Sequence, residues 1–562
     1  MTDFATTVGA DPRRDAVPFH PSVGERKLVF AHMWVAIIAF GVAACMAVMQ
    51  ALSRADVEVP GRTAQMYYMS VTAHGVLMAL VFTTFFIMGL GYAMIQRETG
   101  RIAGMRLAWG SFWVALVGVL LATWAILTFQ ASVLYTFYPP LQAHPAFYIG
   151  LTLVVVGSWG WTWLVIQAWR TARRVRGDRP VSVAMHATAV NAMLWALCTV
   201  GVAAEMLFML IPWSLGLRET VDPIVARTLF WYFGHPLVYF WIIPAYTLWY
   251  TVLPKLAGGK LFSDPLARMV FTIFLVLSTP VGLHHQFQDP GIVENWKLLH
   301  TFLTMAISFP SLVTAFTVCA SIEIAGRLRG GKGLFGWIRT LPWGDPTVSA
   351  ILLAMLLFLV GGFGGAVNAA YALNSVVHNT AWIFAHFHLT VGSASALTFM
   401  GGLYWLVPRL SGKPLALRPL AQVQPWLWFA GMVFFSFTSH IAGLEGLPRR
   451  VMSASYAGAI PAQLWSIHTY LSAAGGVILF LSAMLFVLVM VRTFTNKATQ
   501  PVEPIAYAEP LHVPEGGFRT GIWDRLGLWF LIAVVLVLIA YAMPLYELLS
   551  LERFGSPGFK PF

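Results

Sequence analysis

Residues 225–254 read VARTLFWYFGHPLVYFWIIPAYTLWYTVLP. Apart from Arg227 near its start the stretch carries no charge. As a helix rising about 1.5 Å per residue it is long enough to cross roughly 30 Å of hydrocarbon. Comparable apolar runs recur along the whole chain, thirteen in all: 28–51, 67–95, 107–129, 144–169, 184–213, 225–254, 266–285, 297–325, 346–368, 376–408, 424–446, 462–491 and 523–550. A hydrophobic fraction of 58%, a charged fraction of 10% and a mean hydropathy of +0.72 exclude an ordinary soluble globular chain. The expected fold is all-α and polytopic: one membrane-embedded domain over 1–562 with about thirteen transmembrane helices, residues 1–27 forming a cytoplasmic N-terminal segment.

The net charge of +12 does not point to nucleic acid. The cations fall in short loops between the apolar runs, not in one stripe interleaved with exposed aromatics. They report topology: with the N-terminus placed inside, the inner segments hold 26 of the 35 Lys and Arg and the outer ones 9. The N-terminus is therefore expected in the cytoplasm and the C-terminus outside. Arg170, Arg173, Arg174, Arg176 and Arg179 make the densest inner loop. The first 27 residues hold Arg13, Arg14, Arg26 and Lys27 but no small-residue cleavage site after a short apolar core, so the first span is expected to be retained. Cys45, Cys198 and Cys319 stand alone in apolar spans without CxxC spacing and read as packing residues.

Ionisable side chains at membrane depth are costly and are functional candidates by default. Of the 15 histidines, His20 and His512 lie outside the spans, and His32, His144, His186, His300, His440 and His468 are isolated and read as hydrogen-bonded structural residues. The other seven cluster: His74 in span 2, His235 in span 6, His284 and His285 in span 7, and His378, His386 and His388 in or near span 10. Spans 2, 6 and 10 run inward and span 7 runs outward. His74 then lies about 10 Å below the outer surface and His235, His386 and His388 about 15 to 18 Å below it. His284 and His285 close the outer end of span 7. Four helices far apart in sequence thus bring imidazoles to overlapping depth, which points to metal.

Spacing divides the ligands. His386 and His388, two residues apart on a helix, point about 200° from each other and serve metals on opposite faces of span 10. A porphyrin iron takes two axial imidazoles if it only transfers electrons and one if it binds substrate; a copper with neutral nitrogen ligands is well served by three. Six histidines satisfy two hemes and one copper. In Gly234-His235-Pro236-Leu237-Val238-Tyr239, Tyr239 lies four residues beyond His235 on the same helix face, within touching distance. Pro236 and Pro280 should distort their helices locally.

With these motifs the chain resembles subunit I of the heme-copper oxygen reductases across all thirteen spans. The resemblance implies that His74 and His388 hold a low-spin heme b, that His386 is the proximal ligand of a high-spin heme of a3 or related type, and that His235, His284 and His285 bind copper (CuB). It implies that Tyr239 is covalently joined to His235 and supplies an electron and a proton when the O–O bond breaks. Leu237, where A-type members carry glutamate, and the lack of an acidic, asparagine-rich inner loop make it look like the B-type, ba3-like members, with one proton uptake path. Tyr246 and Tyr250 continue the face of Tyr239 toward the cytoplasm, and Ser311, Thr314 and Thr317 recur at three-residue spacing on span 8, where B-type members have matching hydroxyls. Arg449 and Arg450, near the outer end of span 11, suit heme propionates; His378 resembles the family residue that contacts the high-spin heme's propionate, and Tyr135 in Tyr135-Thr136-Phe137-Tyr138-Pro139-Pro140 matches a B-type motif near that heme. Asn374 departs from the pattern, standing where a carboxylate is expected. Glu205 is the remaining mid-membrane acid, with function and a satisfied structural role both open.

The implied reaction is the four-electron reduction of O₂ to water in a prokaryotic cell (inner) membrane, coupled to proton translocation. The implied partners are a subunit II carrying a dinuclear copper site and cytochrome c or a similar donor, since no Cys-rich copper site or CxxCH heme attachment occurs in this chain; quinol stays open as donor. A nitric oxide reductase, which uses non-heme iron aided by glutamates, is disfavoured by Tyr239 and by the lack of an acid near His284 and His285. A transporter with histidine-lined ion sites would show inverted repeats, and none is seen.

Overall fold

The computed structural model describes residues 21–562; Arg13, Arg14, His20 and most of the expected 1–27 segment lie outside the described residues. Thirteen principal helices follow in chain order: α1 Val23–Arg54, α2 Ala64–Thr99, α3 Met105–Leu127, α4 Pro145–Arg176, α5 Val183–Ser214, α6 Pro223–Ala257, α7 Asp264–Leu277, α8 Glu294–Leu328, α9 Pro346–Ala369, α10 Ala381–Ser411, α11 Arg418–Leu444, α12 Ile460–Phe494 and α13 Leu526–Ser550. All except α7 are long and apolar enough to cross a membrane. Their starts are written locally. Ser22 and Glu25 form a capping box, and Thr63, Ser182, Asp222, Asp345 and Thr380 accept the first free backbone N–H groups of their helices.

Two helices fall short of their apolar runs by five residues or more. The run 266–285 is helical only to Leu277, because Pro280 has no N–H to offer one turn back. The chain turns through Ser278–Pro280 and re-forms as a short 3₁₀ segment, Leu283–Gln286, which carries His284 and His285. A Cβ on Gly282 would lie 2.6 Å from Trp231 O, so glycine lets this turn lie against α6. The run 376–408 likewise starts late. A short helix Tyr371–Val377 precedes it, and the chain breaks at His378–Thr380, with Asn379 at φ 58°, before Thr380 caps α10.

Burial sorts the bundle. The most apolar windows of α6 and α2 are 89% and 83% buried, which places them at the centre, whereas α13, at 28%, lies on the rim. Small residues let neighbours close up, as where Gly118 of α3 faces Gly150 and Leu153 of α4. Single π-turns interrupt four helices: Leu77–Phe82 in α2, Met206–Leu210 in α5, Thr390–Ser395 in α10 and Val433–Phe437 in α11. Such turns concentrate at functional sites. Two of them directly follow candidate ligands, His74 and His388.

The two ends of the bundle are tied differently. At one end Arg268 is buried and donates to Asp264 Oδ1 at 2.6 Å, Asp524 Oδ1 at 2.9 Å and Val181 O at 2.6 Å, pinning α7 to the starts of α5 and α13. The connection before α13 lies across that end, with Gln500 N–H on Gly412 O and Ala508 N–H on Thr251 O. At the other end β1 (Thr220–Val221) pairs antiparallel with β2 (Ser556–Pro557), reinforced by Arg553 on Asp222 at 2.7 Å. The three cysteines are unpaired.

Candidate metal centre

His235 comes from the middle of α6; His284 and His285 come from the 3₁₀ turn after α7. Their ligating nitrogens all lie within 4.8 Å of one another, the one such cluster among the described residues, and no carboxylate joins it. His235 Nδ1 stands 3.1 Å from His285 Nε2. Two imidazole nitrogens sharing one metal at about 2.0 Å stand a little over 3 Å apart, so the spacing suits a common ion. His284 Nδ1 lies 3.0 Å from Thr304 Oγ1. That hydroxyl already donates its proton to His300 O at 2.6 Å, so it must accept from His284 Nδ1–H, leaving the Nε2 lone pair free. His285 stacks on Trp231 with centroids 3.6 Å apart and planes 5° from parallel. The other ring nitrogen of His235, Nε2, meets Tyr239 Oη at 3.0 Å. One imidazole therefore faces the cluster with one nitrogen and the phenol with the other.

His74 and His388 face each other across a gap, with ring centroids 6.1 Å apart and planes 6° from parallel. Two imidazoles on opposite sides of one iron, each bonded at about 2.0 Å, have centroids roughly 6 Å apart; the gap fits a bis-histidine heme. His74 Nδ1 bonds Ala43 O at 3.1 Å and His388 Nδ1 bonds Phe384 O at 2.7 Å. Both Nδ1 atoms must donate to these carbonyls, so both Nε2 atoms are free to ligate. His386 is set the same way, with Nδ1 on Gly361 O at 2.8 Å. It rests on Gly361-Gly362-Phe363-Gly364-Gly365 of α9, where a Cβ on Gly365 would lie 2.8 Å from its Cε1. The sequence reading missed this cradle and Thr304, although the glycine run itself was a visible signal.

On the outer side of these rings Arg449 and Arg450 follow α11 in a loop. Arg450 Nη2 donates to Thr136 Oγ1 at 3.3 Å and its guanidinium stands 5.8 Å from the Tyr135 ring. Neither arginine pairs with a carboxylate among the described residues, and burial together with the adjacent Arg450 pushes Arg449 down to about 10. Two half-buried guanidiniums without an anion suit the propionates of a heme. Tyr135 packs against Gly75, next to His74, and near Phe387 at 6.2 Å. His378 sits in the break before α10. Burial, then Arg449 and Arg227, lower it to about 4, and its Nδ1 meets Asn374 Oδ1 at 3.1 Å. Asn374 in turn donates Nδ2–H to Asn368 O at 2.7 Å, so it orients His378.

Toward the other end of α6, Tyr246 Oη donates to Ser311 Oγ at 3.3 Å and Tyr250 Oη to Thr314 Oγ1 at 3.1 Å. The Thr317 hydroxyl is buried with no partner among the described residues. The expected hydroxyls thus pair across α6 and α8 as separate rungs, not as a continuous chain. The ring of Phe274 lies 5.7 Å from both Tyr239 and Tyr246. Glu205 is fully buried, and neither carboxylate oxygen has a hydrogen-bond partner among the described residues, so it is not a satisfied structural acid there.

A family model described as "Cytochrome C and Quinol oxidase polypeptide I" matches residues 27–478. The chain belongs to this family. It is 45% identical over 489 residues to cytochrome c oxidase subunit 1 of Thermus thermophilus, covering 86% of this chain and 87% of that protein. It is 27% identical over 289 residues to cytochrome c oxidase subunit 1 of Eremothecium gossypii, covering 50% and 48%. Among solved structures, a heme-copper terminal oxidase dimer superposes with a TM-score of 0.91 at 35% identity, over 96% of this chain and 95% of that one. The chain is accordingly the catalytic subunit of a heme-copper terminal oxidase, a multi-pass protein of the cell membrane. It binds a low-spin heme, a high-spin heme and copper, and reduces O₂ to water with proton translocation.

Proposed function

We propose that His74 and His388 hold the low-spin heme, His386 the high-spin heme, and His235, His284 and His285 the copper, with Tyr239 as the redox-active phenol of a B-type oxygen reductase. The hemes and copper, when bound, supply the sites where O₂ is held and most of the electrons that reduce it. The observation that carries the assignment is the double contact of His235, whose Nδ1 faces His285 and whose Nε2 faces the Tyr239 phenol. This contact supports a hydrogen-atom donor beside the proposed copper ligands, and the two rings are proposed to be joined by a bond that replaces the imidazole N–H and a ring C–H, the two electrons and two protons passing to O₂. Tyr239 releases an electron and a proton together, so O–O cleavage need not wait for either from outside the site. The absence of a carboxylate from the cluster among the described residues favours O₂ over nitric oxide as substrate.

Protons reach Tyr239 from the cytoplasm by the rungs Tyr250–Thr314 and Tyr246–Ser311, with Thr317 at the entry side. Arg449, Arg450, His378 and Tyr135 hold the outer, anionic edge of the hemes. Electrons come from a second subunit bearing a dinuclear copper site, itself supplied by cytochrome c or a similar donor. Electrons entering from outside and protons from inside make each turnover work against the membrane potential, at about 2.3 kcal/mol per charge per 100 mV. The test is Tyr239→Phe in the assembled oxidase. Heme and copper content should match the parent while O₂ consumption disappears; normal turnover by that variant would refute the assignment.

A further inference from the structure

Pro244 has no N–H, so the carbonyl of Phe240, one turn earlier in α6, lacks its helical donor. Asn191 of α5 supplies one: Nδ2–H reaches Phe240 O at 3.2 Å in the buried core. Because a carbonyl only accepts, this contact fixes the amide, and Oδ1 must point the other way. Asn191 Oδ1 is buried and has no partner among the described residues, and the same holds for Trp161 Nε1 on α4. Both residues line one cavity of about 10 Å³, together with Gly91, Thr188, Pro244 and Thr247. That is about the room one water needs, and the walls offer it a donor and acceptors. Gly91 keeps the space open, since a Cβ there would lie 2.7 Å from Trp161 Nε1. The hydroxyls of Thr188 and Thr247 spend their protons on Ala184 O and Ile243 O at 2.7 and 2.8 Å, so toward the cavity they only accept. No charged side chain lines it, which suits a neutral guest.

We propose that Asn191 is a positioning residue that splints the gap Pro244 leaves in the hydrogen-bond ladder of α6, donating to Phe240 O and held in place by one bound water. The water accepts from Trp161 Nε1–H and donates to Asn191 Oδ1 and to a threonine oxygen. The missing bond, from Phe240 to Pro244, lies between Tyr239 and Tyr246, so the splint sets how the phenol beside His235 is rotated relative to the one that reaches Ser311. The effect on proton delivery rests on the hydroxyl path proposed above; the splint itself does not.

The test uses the assembled oxidase as parent, Asn191→Leu, Pro244→Ala and the double variant. Asn191→Leu should keep both hemes and copper, turn over about three- to tenfold more slowly, the worth of one hydrogen bond, with a larger solvent isotope effect, and unfold at lower temperature. Pro244→Ala returns the missing N–H, so the double variant should recover turnover to within about twofold and regain its unfolding midpoint. A high-resolution map of the parent should show ordered water between Trp161 Nε1 and Asn191 Oδ1. The proposal fails if Asn191→Leu matches the parent, if Pro244→Ala does not rescue it, or if that cavity is dry. Should Asn191→Leu fail to assemble, the parent map decides alone. A separate arm, Tyr246→Phe, isolates the path: parent-like turnover there sinks the hydroxyl path, while rescue of the unfolding midpoint still judges the splint.

Discussion

Replacing Gly365 by alanine places a methyl carbon 2.8 Å from His386 Cε1, where carbon atoms settle at about 3.5–4.0 Å. The imidazole must recede by about 0.7 Å or more, yet its Nδ1 is tethered to Gly361 O at 2.8 Å on the same helix. Moving the ring weakens that bond by about 1 kcal/mol and drives the side chain off its rotamer at about another 1 kcal/mol. Together, about 2 kcal/mol corresponds to a roughly thirtyfold weaker hold on the high-spin heme. His74 and His388 lie on other contacts and should keep the low-spin heme. The assay is the carbon monoxide difference spectrum of the reduced protein, which reports the heme with an open position, read beside the low-spin absorbance bands. Gly362 supplies the control, because a Cβ there meets nothing within 4 Å: Gly362→Ala should behave as the parent or be slightly more stable. The reasoning is refuted if Gly365→Ala binds carbon monoxide in full and turns over normally, or if Gly362→Ala is equally damaging.

Thr304→Val removes the acceptor of His284 Nδ1–H with little change of volume, and copper affinity should fall by about 10- to 100-fold; copper retained in full after dialysis against a chelator would count against it. Arg268→Met removes the cation that Asp264 and Asp524 share in the buried network and should destabilise the protein by about 3–5 kcal/mol, read as heme loss on denaturation, and an unchanged transition would show the network to be idle. His378 is held down to about 4 against an ordinary value of 6.5, so the unfolded chain binds its proton first and stability contributed at neutral pH is lost as pH falls from 6.5 toward 4. Asn374→Asp puts a carboxylate on His378, raises its proton affinity and should flatten that loss; identical unfolding midpoints across this window in both proteins would overturn the sign.

The parts of the site that lie along one helix were readable in the sequence. The four-residue step from His235 to Tyr239 and the opposed faces of His386 and His388 follow from helical geometry, and shared depth brought His74 to His388. The pairing of Tyr246 with Ser311 and of Tyr250 with Thr314 was approachable because both rows keep a helical period. What stayed hidden depends on contacts between helices distant in sequence. Nothing local tells that Thr304 accepts from His284, that Gly365 faces His386, that Trp231 stacks on His285 or that Asn191 serves Phe240. The early end of α7 shows a different reason. Apolar residues continue past Pro280 because the turn is as buried as the helix, so hydropathy alone overstates the helix while backbone hydrogen bonding ends it.

The π-turns behind His74 and His388 make room for two demands that a regular helix sets against each other. Each carries the equivalent of one extra residue, which rotates everything beyond it by about 100° relative to an unbroken helix. Beyond both turns, Phe86 of α2 stacks on Phe399 of α10 with centroids 4.1 Å apart and planes 18° from parallel. One half of each helix is thus indexed to the facing pair His74 and His388, the ligands proposed for the low-spin heme, and the other half to the stacked rings, like two gears on one shaft with a fixed offset between them. Deleting one residue from Leu77–Phe82 would remove the offset and force a choice between the ligand and the stacked rings.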